Sequence, residues 1–335
     1  MTESMSRLHL RQSLLLLPLL LPLLVLLCVS PAGAWYPRLV ARSTVSAPTA
    51  GILVGENRPY LVGPGETLME IAYRGGLGYR NLLQANPGLD PWAPPVGTDL
   101  RLPYAALLPP DIGPGITINL AEYRLYLAWP ENGRWRVRIY PIGLGREGWE
   151  TPEGDFEVTS RVKGPLWTPP DSLRAEKPDL PLAIPPGPGN PLGNYWIGLS
   201  APGVGIHGTN QPYGVGRRVS HGCIRLYPRD IEDLVDRVEK GMPVRIRYRP
   251  FKVGVVNGML LAEVHPDYLG RFTDPAAEIL RQASALGWKG DVAGPALARE
   301  LRERHGIPLL LAGKRQILAG APRQPPTTSD KSPGP

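Results

Sequence analysis

Cysteine is scarce in this sequence: 2 residues among 335, Cys28 and Cys223. Cys28 sits in an N-terminal apolar run, so the body of the chain keeps a single thiol and has no internal disulfide partner for it. Phenylalanine is scarcer than usual, at 3 residues, whereas proline and glycine stand at 41 and 39. So many turn formers point to short strands joined by long shaped loops and exclude a helix bundle. Charged residues make up 20% of the chain, and its formal net charge of +7 is spread thinly. No basic block with interleaved aromatics is present, which leaves nucleic-acid binding unsupported. A basic exterior suits proximity to anionic polymers.

The N-terminus has the pattern of an export signal. Arg7 and Arg11 precede an apolar run from Leu14 to Val29, and Ala32-Gly33-Ala34 offers small residues for cleavage. The predicted signal peptide covers residues 1–34. The run is shorter than a bilayer span and is interrupted by Pro18 and Pro22. A retained anchor and a lipidated Cys28 are the alternatives. An exported thiol is exposed to oxidation, so keeping Cys223 there suggests a task for it.

Residues 35–58 show no firm periodicity and read as a connector. A compact module is predicted over 58–104. Leu68, Ile71 and Ala72 share one helical face, with Thr67 and Glu70 spaced as a capping box. A second short helix fits 79–85, stopped by Asn86-Pro87, and Gly97 to Pro103 alternates as a strand. The strand–helix–helix–strand order, Val62-x-x-Gly65-Glu66-Thr67-Leu68-x-x-Ile71-Ala72 and the Asn86-Pro87 stop resemble a LysM module. The resemblance implies binding of the N-acetylglucosamine-containing glycan of peptidoglycan or chitin. A small packing domain without a ligand is the plainer alternative.

From about residue 115 the pattern changes to strands, up to an alternating Val244 to Tyr248. Residues 164–193 form a Pro-rich stretch with little periodicity. A loop of that length suggests function, here a lid over the active site, with a passive insertion as the alternative. Residues 230–240 read as a helix. A C-terminal extension over 250–313 carries a hairpin at Asn257-Gly258 and helices over 276–286 and 296–304. The tail 314–335 is rich in Pro, Ser and Thr and reads as disordered.

Cys223 lies in Ser220-His221-Gly222-Cys223-Ile224-Arg225-Leu226, and His207-Gly208-Thr209 lies upstream. A thiol set among histidines and glycines reads as a nucleophile; a buried inert cysteine is the plainer alternative. The attacking species is the thiolate, and a free thiol with a pKa near about 8.5 is ionised only to a few per cent at neutral pH. A neighbouring imidazole accepts the proton, and the imidazolium then stabilises the thiolate. His221 shares a face with Cys223 if the segment is extended. His207 is far enough upstream for the chain to turn and return beside itself. Gly222 lets a carbonyl approach closely, and the backbone N–H groups of His221, Gly222 and Cys223 are candidates for an oxyanion hole. The chemistry implied is acyl transfer through a thioester. One Cys and two His without a CxxC pair argue against a metal, and no cofactor is implied. Thr209 and Ser220 either line a cleft or hold turns. His265, Tyr195 and Trp196 read as structural, and His305 as a solvated cation at a helix end.

The string resembles the signature of the L,D-transpeptidases (YkuD domain). The resemblance runs from about Ile116 to Tyr248 and includes Thr151-Pro152-x-Gly154-x-Phe156 and the segment Leu192-Gly193 to Gly198. With a LysM-like module in front, and Lys252-Val253-Gly254 and Glu263-Val264-His265 behind, the chain is similar to the LysM-bearing, ErfK/YbiS-like branch of the Gram-negative envelope. This implies a mainly β fold: a β-sandwich-like catalytic domain over 115–249, with the cysteine at the base of a cleft and the βααβ module in front. Cys223 would be the nucleophile, and His207 the general base and acid, oriented by the Gly208 carbonyl. His221 would line the site, and Arg225 would contact a substrate carboxylate or brace the loop. The donor would be a peptidoglycan tetrapeptide stem in the periplasm, losing D-Ala. The acceptor stays open: a second stem, giving a 3-3 cross-link, a lipoprotein lysine, or water. A non-catalytic wall-binding protein is the alternative of another class.

Overall fold

The computed structural model describes residues 40–45 and 50–313. The expected signal peptide, with Cys28, and the expected disordered tail lie outside them. Among the described residues no helix is long and apolar enough to cross a membrane.

The fold is mainly β, as expected. Strands Gly115–Asn119 and Arg124–Glu131 form a hairpin whose turn contains Tyr123 at φ 56°, the slip visible in the alternation at Ala121-Glu122. They belong to a nine-stranded sheet in the order Val40–Val45, Arg134–Pro141, Arg124–Glu131, Gly115–Asn119, Pro243–Arg247, Gly154–Lys163, Tyr195–Leu199, Gly205–His207 and Ile224–Arg225. Gly154–Lys163 changes partner midway. Residues 154–157 pair with Pro243–Arg247, and residues 158–163 pair with Tyr195–Leu199. The exchange curls the sheet and gives it the two-layered, sandwich-like character. Its core contains Ile116, Ile118, Leu125, Ile197, Ile206 and Ile224.

The helices are α1 (Leu68–Arg74), α2 (Tyr79–Ala85), α3 (Asp171–Glu176), α4 (Pro228–Val235), α5 (Pro275–Ala285) and α6 (Gly294–Glu303). α1 starts at the expected capping box. Thr67 Oγ1 accepts from the Glu70 N–H at 3.1 Å, and the Glu70 carboxylate accepts from the Thr67 N–H at 3.2 Å. Strands Arg58–Leu61 and Asp99–Leu102 pair antiparallel around α1 and α2, completing a βααβ unit with its own core of Leu68, Ile71, Leu82 and Leu100. At the other end, Phe251–Val256 and Met259–Val264 turn at Asn257 and Gly258, whose φ angles of 51° and 72° fit a type I′ turn.

Three elements differ from the sequence reading. Val40–Val45 is a strand on the edge of the large sheet where a connector was expected. The Pro-rich stretch contains α3, and its form is set by buried Asn190. The Asn190 amide donates to the carbonyls of Pro165, Ile184 and Pro185, a stretch poor in N–H donors. α4 starts two residues earlier than expected and ends at Val235 rather than Lys240. The chain tightens there, with the Arg237 N–H donating to the Leu234 carbonyl, while Val238 remains in the core.

The βααβ unit, the large sheet and the C-terminal hairpin meet at a fully buried polar cluster. Lys252 Nζ lies 2.6 Å from Glu122 and 3.1 Å from Glu263, and Arg124 Nη1 lies 2.6 Å from Glu263. Tyr126 donates to Glu122, His265 Nε2 lies 3.0 Å from Glu263, and Lys252 also donates to the Leu107 carbonyl. The two neighbouring cations hold the Glu263 carboxyl far below the usual carboxylate range, against the opposing effect of burial. Glu122, Glu263 and His265 are close enough together to ligate a metal, but two side-chain cations already balance the two carboxylates. His265 is thus placed as the structural residue its apolar surroundings suggested.

Candidate active site

Three short strands assemble the site. Gly205–His207 runs antiparallel to Tyr195–Leu199 and parallel to Ile224–Arg225. The registers set His207 beside Trp196 on one side and beside Arg225 on the other. The Leu226 N–H donates to the His207 carbonyl at 2.8 Å, closing the pairing just beyond Cys223. Two segments separated by a glycine-rich loop thereby lie side by side. Residues 223 and 225 alternate with Ile224, which is buried in the core.

His207 is only 4% exposed, and its Nδ1 lies 2.6 Å from the Gly208 carbonyl oxygen. A carbonyl only accepts, so Nδ1 carries the proton and Nε2 keeps its lone pair. The Trp196 indole lies nearly parallel to the imidazole, with centroids 5.9 Å apart and 18° between planes. A Cβ at Gly205 would come within 2.3 Å of that indole, so the missing side chain makes the stacking possible.

Cys223 is half-buried, and its Sγ faces the Gly203 carbonyl at 3.5 Å. Gly222 adopts φ +97°, a left-handed conformation that L-residues with side chains resist. This turn interrupts the extended geometry that would have put His221 and Cys223 on one face. His221 instead sits at the rim, where Arg146 Nη2 donates to its Nε2 at 3.0 Å. Arg146 also pairs with Glu176 of α3, whose second oxygen is 3.5 Å from His221. The Trp149 ring lies 5.0 Å from the imidazole. Ser220 is buried and donates to the Cys223 carbonyl at 2.5 Å, holding the turn while also lining the cleft. Thr209 holds a turn by accepting from the Gln211 N–H at 2.9 Å.

Burial dominates how the imidazole and the thiol titrate at rest. Burial, assisted by the Arg225 charge, pushes His207 down to about 3, and the Gly208 hydrogen bond opposes this only in part. Burial pushes the Cys223 thiol up, with the Gly205 backbone and the Arg225 charge opposing. Base and thiol therefore rest as a neutral pair at neutral pH. Arg225 is the cation felt by both. Its Nε is buried without a hydrogen-bond partner, and no carboxylate among the described residues pairs with its guanidinium.

Cys223, His207, Ser220, His221 and Arg225 all border one cavity of about 650 Å³. Its other wall comes from the Pro-rich segment, through Leu166, Trp167, Leu173 and Leu192, with Trp149 and Trp196 completing an apolar lining. Gly208 and Gly222 shape the backbone behind it. The sequence reads Trp196 as core packing and carries no signal that singles out Trp149, Arg146 or Glu176. Their placement depends on strand register and on the fold of the Pro-rich segment, which no local pattern encodes.

Residues 113–246 match the family model of the L,D-transpeptidase catalytic domain, YkuD. The chain is 42% identical over 228 residues to the Escherichia coli K12 protein named "Probable L,D-transpeptidase YcfS", covering 65% of this chain and 71% of that one. It is 34% identical over 284 residues to "Probable L,D-transpeptidase YbiS" of the same organism, covering 80% and 92%. Among solved structures, the catalytic domain of the Enterococcus faecium L,D-transpeptidase is 27% identical with a TM-score of 0.31, covering 40% of this chain and 97% of that one.

Proposed function

The chain belongs to the L,D-transpeptidase family, and we propose that it transfers the acyl group of a peptidoglycan tetrapeptide stem through a thioester on Cys223. The observation that carries this reading is the strand register. It brings a neutral imidazole, with Nδ1 committed to Gly208, into the same cleft as the thiol. Cys223 Sγ attacks the carbonyl carbon of the third stem residue, a diaminopimelate, while His207 Nε2 takes the thiol proton. The oxyanion forms against the backbone N–H groups of residues 221–223, left open by Gly222, with Arg225 as the nearby positive charge. Collapse breaks the amide bond, His207 returns the proton to the departing amine, and D-Ala leaves. An acceptor amine then attacks the thioester, loses its proton to His207 and frees the thiol. A stem amine yields a 3-3 cross-link, a lipoprotein lysine attaches that protein to the wall, and water makes the enzyme an L,D-carboxypeptidase.

The βααβ unit over 58–104 is proposed as a LysM module that holds the glycan. Leu61, Trp92 and Val96 are each about two-thirds exposed on it, apolar surface of the kind that stacks on sugar faces. The Pro-rich segment is proposed as the lid, tied by Glu176 to Arg146 and His221 at the rim. The expected export signal and the substrate together suit the periplasm. Mass-spectrometric muropeptide analysis after incubation with purified sacculi tests the reading. D-Ala release is expected with the wild type and is lost in Cys223→Ala while sacculus binding persists. Full activity in that variant would rule out the thioester.

A further inference from the structure

Residues 208–222, between base and nucleophile, run out of the cleft, around residues 210–217, and back in. The tip of that excursion packs on the βααβ unit. Gly216, at φ +80°, passes so close to the α1–α2 turn that an added Cβ would lie 2.3 Å from Tyr79 N and within 2.9 Å of Gly78. The Tyr73 ring of α1 sits edge-on to Tyr213 and Tyr227, with centroids 6.0 Å and 5.2 Å away. The Tyr227 hydroxyl donates to the Leu77 carbonyl at 2.9 Å within buried surroundings. The Arg217 guanidinium lies 6.0 Å from the Tyr79 ring centre. From there the chain leads straight into Arg218–Ser220 and the Cys223 turn on one side. On the other side, Tyr227 directly follows Leu226, which is bonded to His207.

We infer that the βααβ unit is a positioning element of the catalytic centre: by clamping Gly216, Tyr213 and Tyr227 it holds the base and nucleophile segments in register. The inference rests on Cys223 being the nucleophile, and it is independent of whether the unit binds glycan. A glycine-rich excursion of this length has many conformations to lose. On the sheet side it is held by Gly216 N–H to the Ile142 carbonyl, Leu144 N–H to the Arg217 carbonyl and the close passage of Gly214 by Gly143. Loss of the clamp leaves Cys223 and His207 in place on average but loosens their mutual geometry. Misplacement by about 1 Å costs on the order of 100-fold in rate.

The test uses the full chain and a soluble carbapenem, which by resemblance to the family should acylate Cys223 and is small enough to enter the cleft without touching the βααβ unit. Tyr73→Ala removes the ring between Tyr213 and Tyr227, Tyr73→Phe keeps it, and Tyr213→Ala removes a half-exposed partner at little cost to folding. Stopped-flow acylation, followed by intact mass, separates the maximal acylation rate from the half-saturating concentration. Tyr73→Ala and Tyr213→Ala are expected to lose about tenfold or more in the maximal rate with the half-saturating concentration unchanged, and Tyr73→Phe to retain it. Wild-type maximal rates in both alanine variants overturn the inference, as does an effect confined to half-saturation. If Tyr73→Ala fails to fold, Tyr213→Ala alone decides. Cys223→Ala is the control: an adduct on that variant would overturn the nucleophile assignment, whereas unequal rates among the tyrosine variants speak only to the clamp.

Discussion

Two regions of this molecule bury charge, and they do so in opposite ways. At the junction of the βααβ unit, the large sheet and the C-terminal hairpin, Glu122 and Glu263 face Lys252 and Arg124 with every charge matched. In the cleft, Arg225 is largely enclosed beside a neutral imidazole and a neutral thiol and meets no carboxylate among the described residues. Desolvating a charge is costly in both places. At the junction the cost is offset by partners, and the product is a fixed arrangement of three parts of the chain. In the cleft the offset is missing until a negative charge arrives: a thiolate, an oxyanion or a substrate carboxylate. A balanced buried cluster therefore marks architecture here, and an unbalanced one marks chemistry.

Substitutions break this comparison in graded ways. The largest effect is expected from Cys223→Ala, which removes the proposed nucleophile and takes D-Ala release to background, checked by muropeptide analysis. At the junction, Lys252→Met leaves a buried carboxylate unmatched and is expected to lower stability by about 3–5 kcal/mol, measured by denaturant unfolding. Folded Lys252→Met should acylate with a carbapenem at close to the wild-type rate. Arg225→Met should do the reverse. Unfolding stability is expected to hold or rise, because a half-buried cation with no carboxylate partner among the described residues is removed. Acylation at neutral pH is expected to fall by about 10- to 100-fold, since a preorganised charge beside the thiolate and oxyanion is lost. Trp92→Ala is the mildest change: a few-fold loss in sacculus binding, read by co-sedimentation, with carbapenem acylation unchanged.

The candidate reacting residues stand out in the sequence because chemistry restricts which side chains can do the work. A lone thiol beside His221 and Gly222, with His207-Gly208 upstream, offers few readings. Local structure was legible where a short pattern encodes it, as in the Thr67–Glu70 capping box and the Asn257-Gly258 turn. The rest depends on contacts between distant segments. The parallel pairing of Ile206 with Ile224 leaves no mark in either segment alone, and it decides that Trp196 stacks on the base. The edge strand at Val40–Val45 exists only because Arg134–Pro141 offers it a ladder. α3 depends on the Pro-rich stretch being gathered by Asn190. The resting charge state of the site is a further case: sequence places an imidazole near a thiol, but burial decides which form each takes.

Acid stability follows from those burial effects. His207 is held neutral in the folded protein down to about pH 3, whereas an unfolded histidine takes up a proton near its ordinary 6.5. Below that value the unfolded state binds the extra proton, so stability falls as pH drops from about 6.5 towards 3. Glu263, also held low, adds to the loss below its ordinary 4.5. His207→Gln should flatten the upper part of this decline in urea titrations at stepped pH.

The resting state of the pair is read most directly from the pH dependence of Cys223 alkylation by iodoacetamide, followed by intact mass. A neutral thiol beside a neutral His207 gives a rate that rises with pH up to and beyond the ordinary thiol value of 9, with no plateau between pH 4 and 7. A plateau across that acidic range would mean a preformed imidazolium–thiolate pair and would contradict the account of Arg225 as the charge that serves the site.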